Sequence, residues 1–272
     1  MNDERPIGVF DSGVGGLTVL EALRRRLPDE HFIYLGDTAR LPYGSKSPET
    51  VRRYARQAAG KLVERGVKLL VIACNTASAV AVETLRDAFA PLPVVGVVEP
   101  GAAAARAATR TGHVLVIATE GTIRGGTYQR AITAAAPQIR VDGLACPLFV
   151  ALAEEGWVEG PIPEAVARRY LELELAGPAL SRVDTMVLGC THFPVLRSVL
   201  QRVCGPEVTL VDSAETTAAV VADELARGEL RSSRAGGQVR FLATDAPDRF
   251  ARVGAVFLGE PLEATEVELV DL

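Results

Sequence analysis

Short runs of apolar residues alternate with longer segments of helical periodicity along most of the chain. A run of four or five apolar residues is too short for a helix and predicts a buried strand, whereas apolar residues spaced three and four apart predict an amphipathic helix. Strands are predicted at residues 7–10, 32–36, 69–73, 94–97, 114–118, 138–141, 185–188, 208–211 and 238–243. Helices are predicted at residues 15–27, 48–64, 101–110, 126–136, 147–155, 163–176, 195–203 and 216–228, and from the strand end at 73 to about residue 89. This alternation favours the α/β class, in which right-handed helical crossovers join parallel strands.

The ends of three predicted strands recur in the same order in the second part of the chain. Three pairs of positions correspond at similar separations: Asp11 with Thr119, Cys74 with Cys190, and Glu99 with Asp212. Junctions between a strand, a polar segment and a helix look alike in many proteins, but the shared order favours an internal duplication. The sequence therefore predicts two related α/β halves that face each other.

Composition and charge are those of an ordinary globular protein. The 272 residues are 48% hydrophobic and 23% charged, which suits one large domain or two ordinary domains with a sizeable core. With 34 acidic and 29 basic residues, the net charge is −5, which argues against general nucleic-acid binding. The sequence has neither the pattern of a secretory signal nor an apolar run of the roughly 18 residues that span a membrane. We therefore expect no membrane partner, and a cytoplasmic protein whose four cysteines are reduced.

Two cysteines stand directly after buried strands and before predicted helices. Ligands of open α/β sheets bind at the carboxyl ends of strands, and the amino end of a helix favours a thiolate. Cys74 and Cys190 both occupy this position, whereas Cys146 and Cys204 fit core positions. Polar residues that can bond a ligand or cap a helix follow the two thiols at once: Asn75, Thr76, Thr191 and His192.

Nucleotide, metal and redox chemistry each lack part of their sequence pattern. The strand followed by Gly13 and Gly15 imitates a dinucleotide-binding loop, but Thr18 stands at the third glycine position. Cys190 and His192 are two residues apart, and no second pair has the spacing of zinc ligands. No two cysteines form a CxxC pair. We therefore expect neither a cofactor nor a metal.

Two separate thiols suit a reaction in which a proton leaves one face of a carbon and returns to the other. A single base tends to return the proton to the face it left, whereas two bases work from opposite faces. An unperturbed Cys pKa of about 8.5 allows each thiol to act as base or acid. We expect Asp11 to assist Cys74 and His192 to assist Cys190. The neighbouring polar groups would hold substrate carboxylates: Asn75, Thr76 and Thr191.

Four segments resemble motifs of the bacterial glutamate racemases, a family of the aspartate/glutamate racemase superfamily. They are residues 11–19 (DSGVGGLTV), 36–44 (GDTARLPYG), 73–78 (ACNTAS) and 188–194 (LGCTHFP). Four motifs in the family's order are specific, and the resemblance extends over essentially the whole chain. The Cys-Asn-Thr motif alone would indicate only the superfamily.

The resemblance implies a cofactor-independent, two-base interconversion of L- and D-glutamate that supplies D-glutamate for peptidoglycan. In the family's pattern, Cys74 takes the α-proton from D-glutamate and Cys190 takes it from L-glutamate. A further assisting acid follows a Pro-Leu-Phe-Val motif, which here leaves Glu154 or Glu155, with Glu154 aligning slightly better. The substrate contacts that the resemblance implies are Asp11, Ser12, Pro42, Tyr43, Gly44, Asn75, Thr76, Thr119, Thr191 and His192.

The resemblance also implies an architecture. It predicts two pseudo-symmetric, three-layer α/β domains with mainly parallel sheets and an active site in the cleft between them. The first domain would be discontinuous, at residues 1–97 and 207–272, and the second would comprise residues 98–206. Homodimers are usual in the family.

Two other functions stay open at this point. A related racemase could act on aspartate or on another acidic or hydantoin-like substrate, although the Pro-Tyr-Gly motif and the Thr-His pair at 191–192 favour glutamate. A non-catalytic binding protein for acidic amino acids could have the same two-domain cleft. That function would leave the paired thiols unexplained.

Overall fold

The computed structural model describes residues 3–175 and 182–272, and strands alternate with helices throughout these segments. The strands are β1 (Ile7–Asp11), β2 (Phe32–Gly36), β3 (Leu69–Ile72), β4 (Val94–Gly96), β5 (His113–Ala118), β6 (Arg140–Ala145), β7 (Thr185–Gly189), β8 (Thr209–Asp212), β9 (Val239–Ala243) and β10 (Val267–Leu269). The helices are α1 (Leu17–Arg26), α2 (Pro48–Glu64), α3 (Asn75–Phe89), α4 (Val98–Ala108), α5 (Glu120–Gly125), α6 (Thr127–Ala135), α7 (Leu148–Glu154), α8 (Pro161–Leu175), α9 (Arg197–Cys204), α10 (Ser213–Arg227) and α11 (Pro247–Leu258).

The described strands form two sheets in which neighbouring strands run parallel. The first sheet has the order β10–β9–β2–β1–β3–β4, and the second has the order β6–β5–β7–β8. Four strands of the first sheet, in the order β2–β1–β3–β4, repeat the order β6–β5–β7–β8 of the second sheet. In both sets, the strand that comes first along the chain, β1 or β5, lies between two others. The predicted fold class, two pseudo-symmetric α/β units, is therefore confirmed.

Each sheet is covered by helices on both faces, which explains why the inner strands are continuous apolar runs. In the first unit, α1, α10 and α11 cover one face and α2 and α3 cover the other. In the second unit, α4 and α6 cover one face, and α7, α8 and α9 cover the other. Each unit thus has three layers, and its polar loops collect at the strand ends. Within the described segments, no helix is long and apolar enough to cross a membrane.

Strand β8 lies beyond the predicted end of the second domain at residue 206. It pairs with β7 and completes the second sheet, and the chain rejoins the first sheet only at β9. An apolar run shows that a strand is buried but does not show which sheet it joins. The division into domains stays a prediction, and a boundary that respects the sheets falls after Asp212.

The helix predicted at 126–136 is α6, and the short helix α5 before it was not predicted; Gly126, with a φ of +61°, separates the two. Two local predictions were wrong. The strand predicted at 138–141 lies instead at β6, two to four residues further along the chain. β6 is an edge strand without a fully buried residue, and its apolar pattern is therefore weak. The strand at 238–243 is not the last element, since α11 and β10 follow it. The predicted helix at 163–176 ends at a residue outside the described segments.

A buried ion pair links the segments that precede β2 and β3. It lies at the amino ends of these strands, opposite the carboxyl ends that carry the polar loops. Nζ of Lys68 lies 2.5 Å from a carboxylate oxygen of Glu30, and the two side chains are 0% and 3% exposed. Lys68 also donates a hydrogen bond to the carbonyl of Asp3 at 2.5 Å. Breaking a buried pair from one side leaves an uncompensated charge in the interior.

We therefore expect Lys68→Met to lower the free energy of unfolding by about 3–5 kcal/mol. The double variant Lys68→Met/Glu30→Gln removes both charges, and we expect it to recover a large part of that loss. Urea unfolding at neutral pH, followed by circular dichroism, measures both. A single variant as stable as the unmodified protein would show that the pair is not a structural element.

Candidate active site

The two candidate thiols lie at the carboxyl ends of equivalent strands. Cys74 follows β3 and Cys190 follows β7, and each strand pairs with the first strand of its own unit, β1 or β5. Both thiols are buried, with 5% and 7% of their surface exposed. The carboxyl ends of parallel strands meet at one edge of a sheet, so each thiol is surrounded by the loops that follow the neighbouring strands.

The loop after β1 places a carboxylate and a hydroxyl beside Cys74. Cys74 is the N-cap of α3, where its Sγ accepts a hydrogen bond from the backbone N–H of Ala77 at 3.4 Å. The same Sγ donates to Oγ of Ser12 at 3.4 Å. Asp11 is fully buried, and its Oδ2 accepts a hydrogen bond from the N–H of Gly13 at 2.9 Å. The predicted residues Asp11, Ser12 and Cys74 therefore form one cluster.

Burial governs the protonation of this cluster. Burial, and after it the carboxylate of Asp11, raise the pKa of Cys74 to about 12, against the two hydrogen bonds to its sulfur. Burial also raises the pKa of Asp11, with the positive charge of His192 acting in the opposite direction. The expectation that the helix amino end would favour a thiolate is wrong for Cys74, because desolvation outweighs the helix field. Cys74 is a thiol at neutral pH.

A chain of polar contacts leads from Cys190 to the first unit. Sγ of Cys190 lies 3.8 Å from Nδ1 of His192, and Nε2 of His192 lies 3.2 Å from Oε1 of Glu154. The other oxygen of Glu154, Oε2, accepts a hydrogen bond from Nη2 of Arg249 at 2.7 Å. The His192 ring also contacts Phe257 edge to face, with the ring centroids 5.0 Å apart.

His192 is positively charged in this arrangement. Burial lowers the pKa of His192, but Cys190 and Glu154 outweigh it and raise the pKa to about 10. Burial raises the pKa of Glu154, but His192 and Arg249 outweigh it and hold the pKa below its usual value. A cation this close to a cysteine stabilises negative charge on the sulfur. Glu154 is thus the acid that contacts His192, whereas Glu155 is exposed.

Polar side chains of the two units meet beside the thiols. Oγ1 of Thr76 lies 3.1 Å from Oγ1 of Thr119 and 3.2 Å from Oγ1 of Thr122. The hydroxyl of Tyr128 donates to Oδ1 of Asn75 at 2.6 Å. Asn75 and Thr76 begin α3 of the first unit, and their partners belong to the second. The site is therefore built from both units, as predicted.

Two buried polar atoms in this cluster have no hydrogen-bond partner within the described segments: Oδ1 of Asp11 and Nδ2 of Asn75. A buried polar atom without a partner costs about 1–3 kcal/mol. One of these atoms is an acceptor and the other a donor. They suit a ligand that carries both a cationic and an anionic group.

Two glycines allow the units to approach closely. A Cβ at Gly15 would overlap the side chains of Thr191 and His192, and a Cβ at Gly44 would lie 2.7 Å from the Cβ of Thr119. The loop after β1 therefore reaches Thr191 and His192 of the second unit, and the loop at 43–45 reaches Thr119.

The side chain of Tyr43 belongs to the same core cluster as Cys74. It is buried in the core of the first unit, and its hydroxyl donates a short hydrogen bond to Asp37. Pro42 and Gly44 instead line a groove of about 450 Å³ together with Thr119 and Glu154. The groove gives a small ligand an approach to the polar cluster. Two further cavities, of about 330 and 500 Å³, adjoin Glu99 and contain neither thiol.

Four residues of the site were missed at the sequence level: Thr122, Tyr128, Arg249 and Phe257. Tyr128 lies on the buried face of α6, where its ring fits an apolar position and its hydroxyl gives no separate signal. Arg249 and Phe257 lie on the unpredicted helix α11. Across residues 3–175 and 182–272, no group of three His, Cys, Asp or Glu side chains could hold a metal ion.

Known proteins share the sequence and the fold of this chain. Residues 7–221 match the Asp/Glu/Hydantoin racemase family. The chain is 53% identical to a glutamate racemase of Geobacter metallireducens over 259 residues, which cover 95% of this chain and 94% of that protein. The crystal structure of glutamate racemase from Francisella tularensis in complex with D-glutamate is similar, with a TM-score of 0.90, 36% identity, and coverage of 99% and 98%. The glutamate racemase of Thermus thermophilus in complex with β-chloro-D-alanine has a TM-score of 0.89, 44% identity, and coverage of 100% and 99%. The chain belongs to the Asp/Glu/hydantoin racemase family.

The pKa of Cys74 can be tested by alkylation. Asp11→Asn removes the negative charge beside the sulfur, so the pKa of Cys74 falls and more thiolate forms at a given pH. We expect Cys74 of this variant to react several times faster with iodoacetamide at mildly alkaline pH, as measured by peptide mass spectrometry. Cys204, outside the cluster, is the internal control and should react at an unchanged rate. An equal or slower reaction of Cys74 would show that Asp11 does not oppose its ionisation.

Proposed function

We propose that this member of the racemase family interconverts L- and D-glutamate with Cys74 and Cys190 as the two acid–base groups. The observation that carries the proposal is the position of two buried thiols at equivalent strand ends, each with its own charged assistant: Asp11 for Cys74 and His192 for Cys190. The relatives are named glutamate racemases, and one was solved with D-glutamate bound. A non-catalytic binding protein would need neither thiol.

In the direction from L- to D-glutamate, Cys190 acts as the base and Cys74 as the acid. The thiolate of Cys190, beside the His192 cation, removes the α-proton of L-glutamate and becomes a thiol. The Cys74 thiol then donates its proton to the opposite face of the carbanion and becomes a thiolate. Exchange of one proton with solvent restores the starting state. The reverse reaction uses the same groups in the opposite roles.

Groups around the thiols would bind the charged ends of glutamate. The unpaired amide of Asn75 and the amino end of α3 suit a carboxylate, and the unpaired oxygen of Asp11 suits the ammonium group. Thr76, Thr119, Ser12 and Thr191 add hydroxyls around the same space. The backbone at Pro42, Tyr43 and Gly44 completes the substrate contacts. Glu154 keeps His192 charged.

In the cell, this reaction would supply D-glutamate for peptidoglycan synthesis. We propose a cytoplasmic homodimer that needs no cofactor. Size-exclusion chromatography with light scattering would test the dimer.

Assays with L-glutamate and L-aspartate test the proposed substrate. We expect the purified protein to racemise L-glutamate without added cofactor, and L-aspartate at a far lower rate. In heavy water, the D-glutamate formed should carry deuterium at the α-carbon, because the second thiol exchanges its proton with solvent. An absence of turnover with glutamate would overturn the proposal, and faster turnover of aspartate would replace the substrate.

Single cysteine variants separate the roles of the two thiols. Cys74→Ala should lose racemisation but still exchange the α-proton of L-glutamate, because Cys190 can remove that proton and return a deuteron to the same face. Cys190→Ala should show the mirror result and exchange only D-glutamate. Nuclear magnetic resonance in heavy water measures both exchanges. Cys204→Ala is the matched control and should behave as the unmodified protein, whereas racemisation by either site variant would contradict the two-base scheme.

A further inference from the structure

Helix α11 reaches the Cys190 side of the site from the other unit. Arg249, near its amino end, donates a hydrogen bond to Oε2 of Glu154 at 2.7 Å, and Phe257, two turns later, contacts the His192 ring. The helix belongs to the first unit, whereas Glu154, His192 and Cys190 belong to the second. Contacts from α11 thus meet the assisting groups of Cys190 at two points.

The two oxygens of Glu154 have separate partners. Oε1 lies 3.2 Å from Nε2 of His192, and Oε2 is held by Arg249. The second contact fixes the rotation of the carboxylate, because a carboxylate held at one oxygen alone can turn about its terminal torsion. The orientation of Glu154 sets the ring position of His192 and therefore the approach of Nδ1 to the sulfur of Cys190.

The Arg249–Glu154 pair crosses the space between the two units at the edge of the groove. The side chain of Glu154 is 14% exposed and that of Arg249 is 46% exposed. Glu154 is one of the residues that line the groove. The pair therefore forms when the units are close together, and the side chain on the first unit is accessible enough to be exchanged without disturbing a core.

We propose that Arg249 is a positioning residue for the Cys190 half-reaction, acting across the cleft through Glu154 and His192. This inference rests on the proposed racemase function and deepens it. The hydrogen bonds that link Cys74 to Ser12, and Asp11 to Gly13, lie within the first unit and do not involve Arg249. Its removal should slow proton transfer at one thiol and spare the other.

The test is Arg249→Met, which keeps the length of the side chain and removes its charge. The equilibrium constant between two enantiomers is one, so kcat/KM falls equally in both directions, and we expect a loss of about fivefold, as for a partly exposed ion pair. The discriminating measurement is the kinetic isotope effect on the racemisation rate when the α-carbon of the substrate carries deuterium. Cys190 removes the deuteron of L-[2-²H]glutamate, so this isotope effect should increase as the Cys190 step becomes more rate-limiting. Cys74 removes the deuteron of D-[2-²H]glutamate, so the isotope effect for that enantiomer should decrease.

Two matched variants complete the experiment. Arg249→Lys keeps a cation that can reach one carboxylate oxygen, and it should restore at least half of the lost rate. Arg252→Met removes an exposed arginine from the same helix and should leave the rate and both isotope effects unchanged. Thermal unfolding of all variants should agree within a few degrees, because neither arginine is buried.

An unaffected rate in Arg249→Met, isotope effects that change equally for both enantiomers, or equal losses in the Met and Lys variants would each overturn the inference while leaving the proposed function in place. An unmodified protein without glutamate racemisation would instead overturn the proposed function, and the inference with it.

Discussion

Burial of two thiols between two sheets is the constraint on which the site depends. Removing a thiolate from water is costly, and at Cys74 this cost, together with the carboxylate of Asp11, raises the pKa to about 12. A neighbouring cation offsets part of this cost. At Cys190 this cation is His192, whose Nδ1 lies 3.8 Å from the sulfur. The site is therefore electrostatically asymmetric, with a carboxylate beside Cys74 and a cation beside Cys190.

This asymmetry arises where the two units depart from their shared topology. The strand order β2–β1–β3–β4 recurs as β6–β5–β7–β8 and places Cys74 and Cys190 at equivalent points. The residues that follow equivalent strands differ: β1 ends in Asp11, whereas β5 is followed by Thr119. The shared topology thus gives two thiols at equivalent points, and the divergent neighbours place opposite charges beside them: the carboxylate of Asp11 at Cys74 and the cation of His192 at Cys190.

The sequence was sufficient for the features that local chemistry determines. Apolar runs located the inner strands, because those strands are buried on both faces, and the polar residues after Cys74 and Cys190 identified the strand ends where ligands bind. It failed where a property depends on long-range packing. The pKa of Cys74 follows from burial that no local motif records, and β8 gave no sign of the sheet it joins. Tyr128 was missed because an aromatic residue on a helix face fits a core equally well. Helix α11 was not predicted, although its buried residues Phe250, Val253 and Phe257 have helical spacing.

The contacts that close the site are polar and individually weak, and this suits a site that must admit and release its ligand. Beside the thiols, the units meet through threonine hydroxyls, the Tyr128–Asn75 hydrogen bond and the Arg249–Glu154 pair. Each exchanges protein contacts for contacts with water when the units separate, so opening costs little compared with exposing an apolar core. A ligand that satisfies the unpaired atoms of Asp11 and Asn75 adds its own contacts to this set. Ligand binding at these atoms would therefore favour the arrangement in which the two units are in contact and Glu154 and His192 lie beside Cys190.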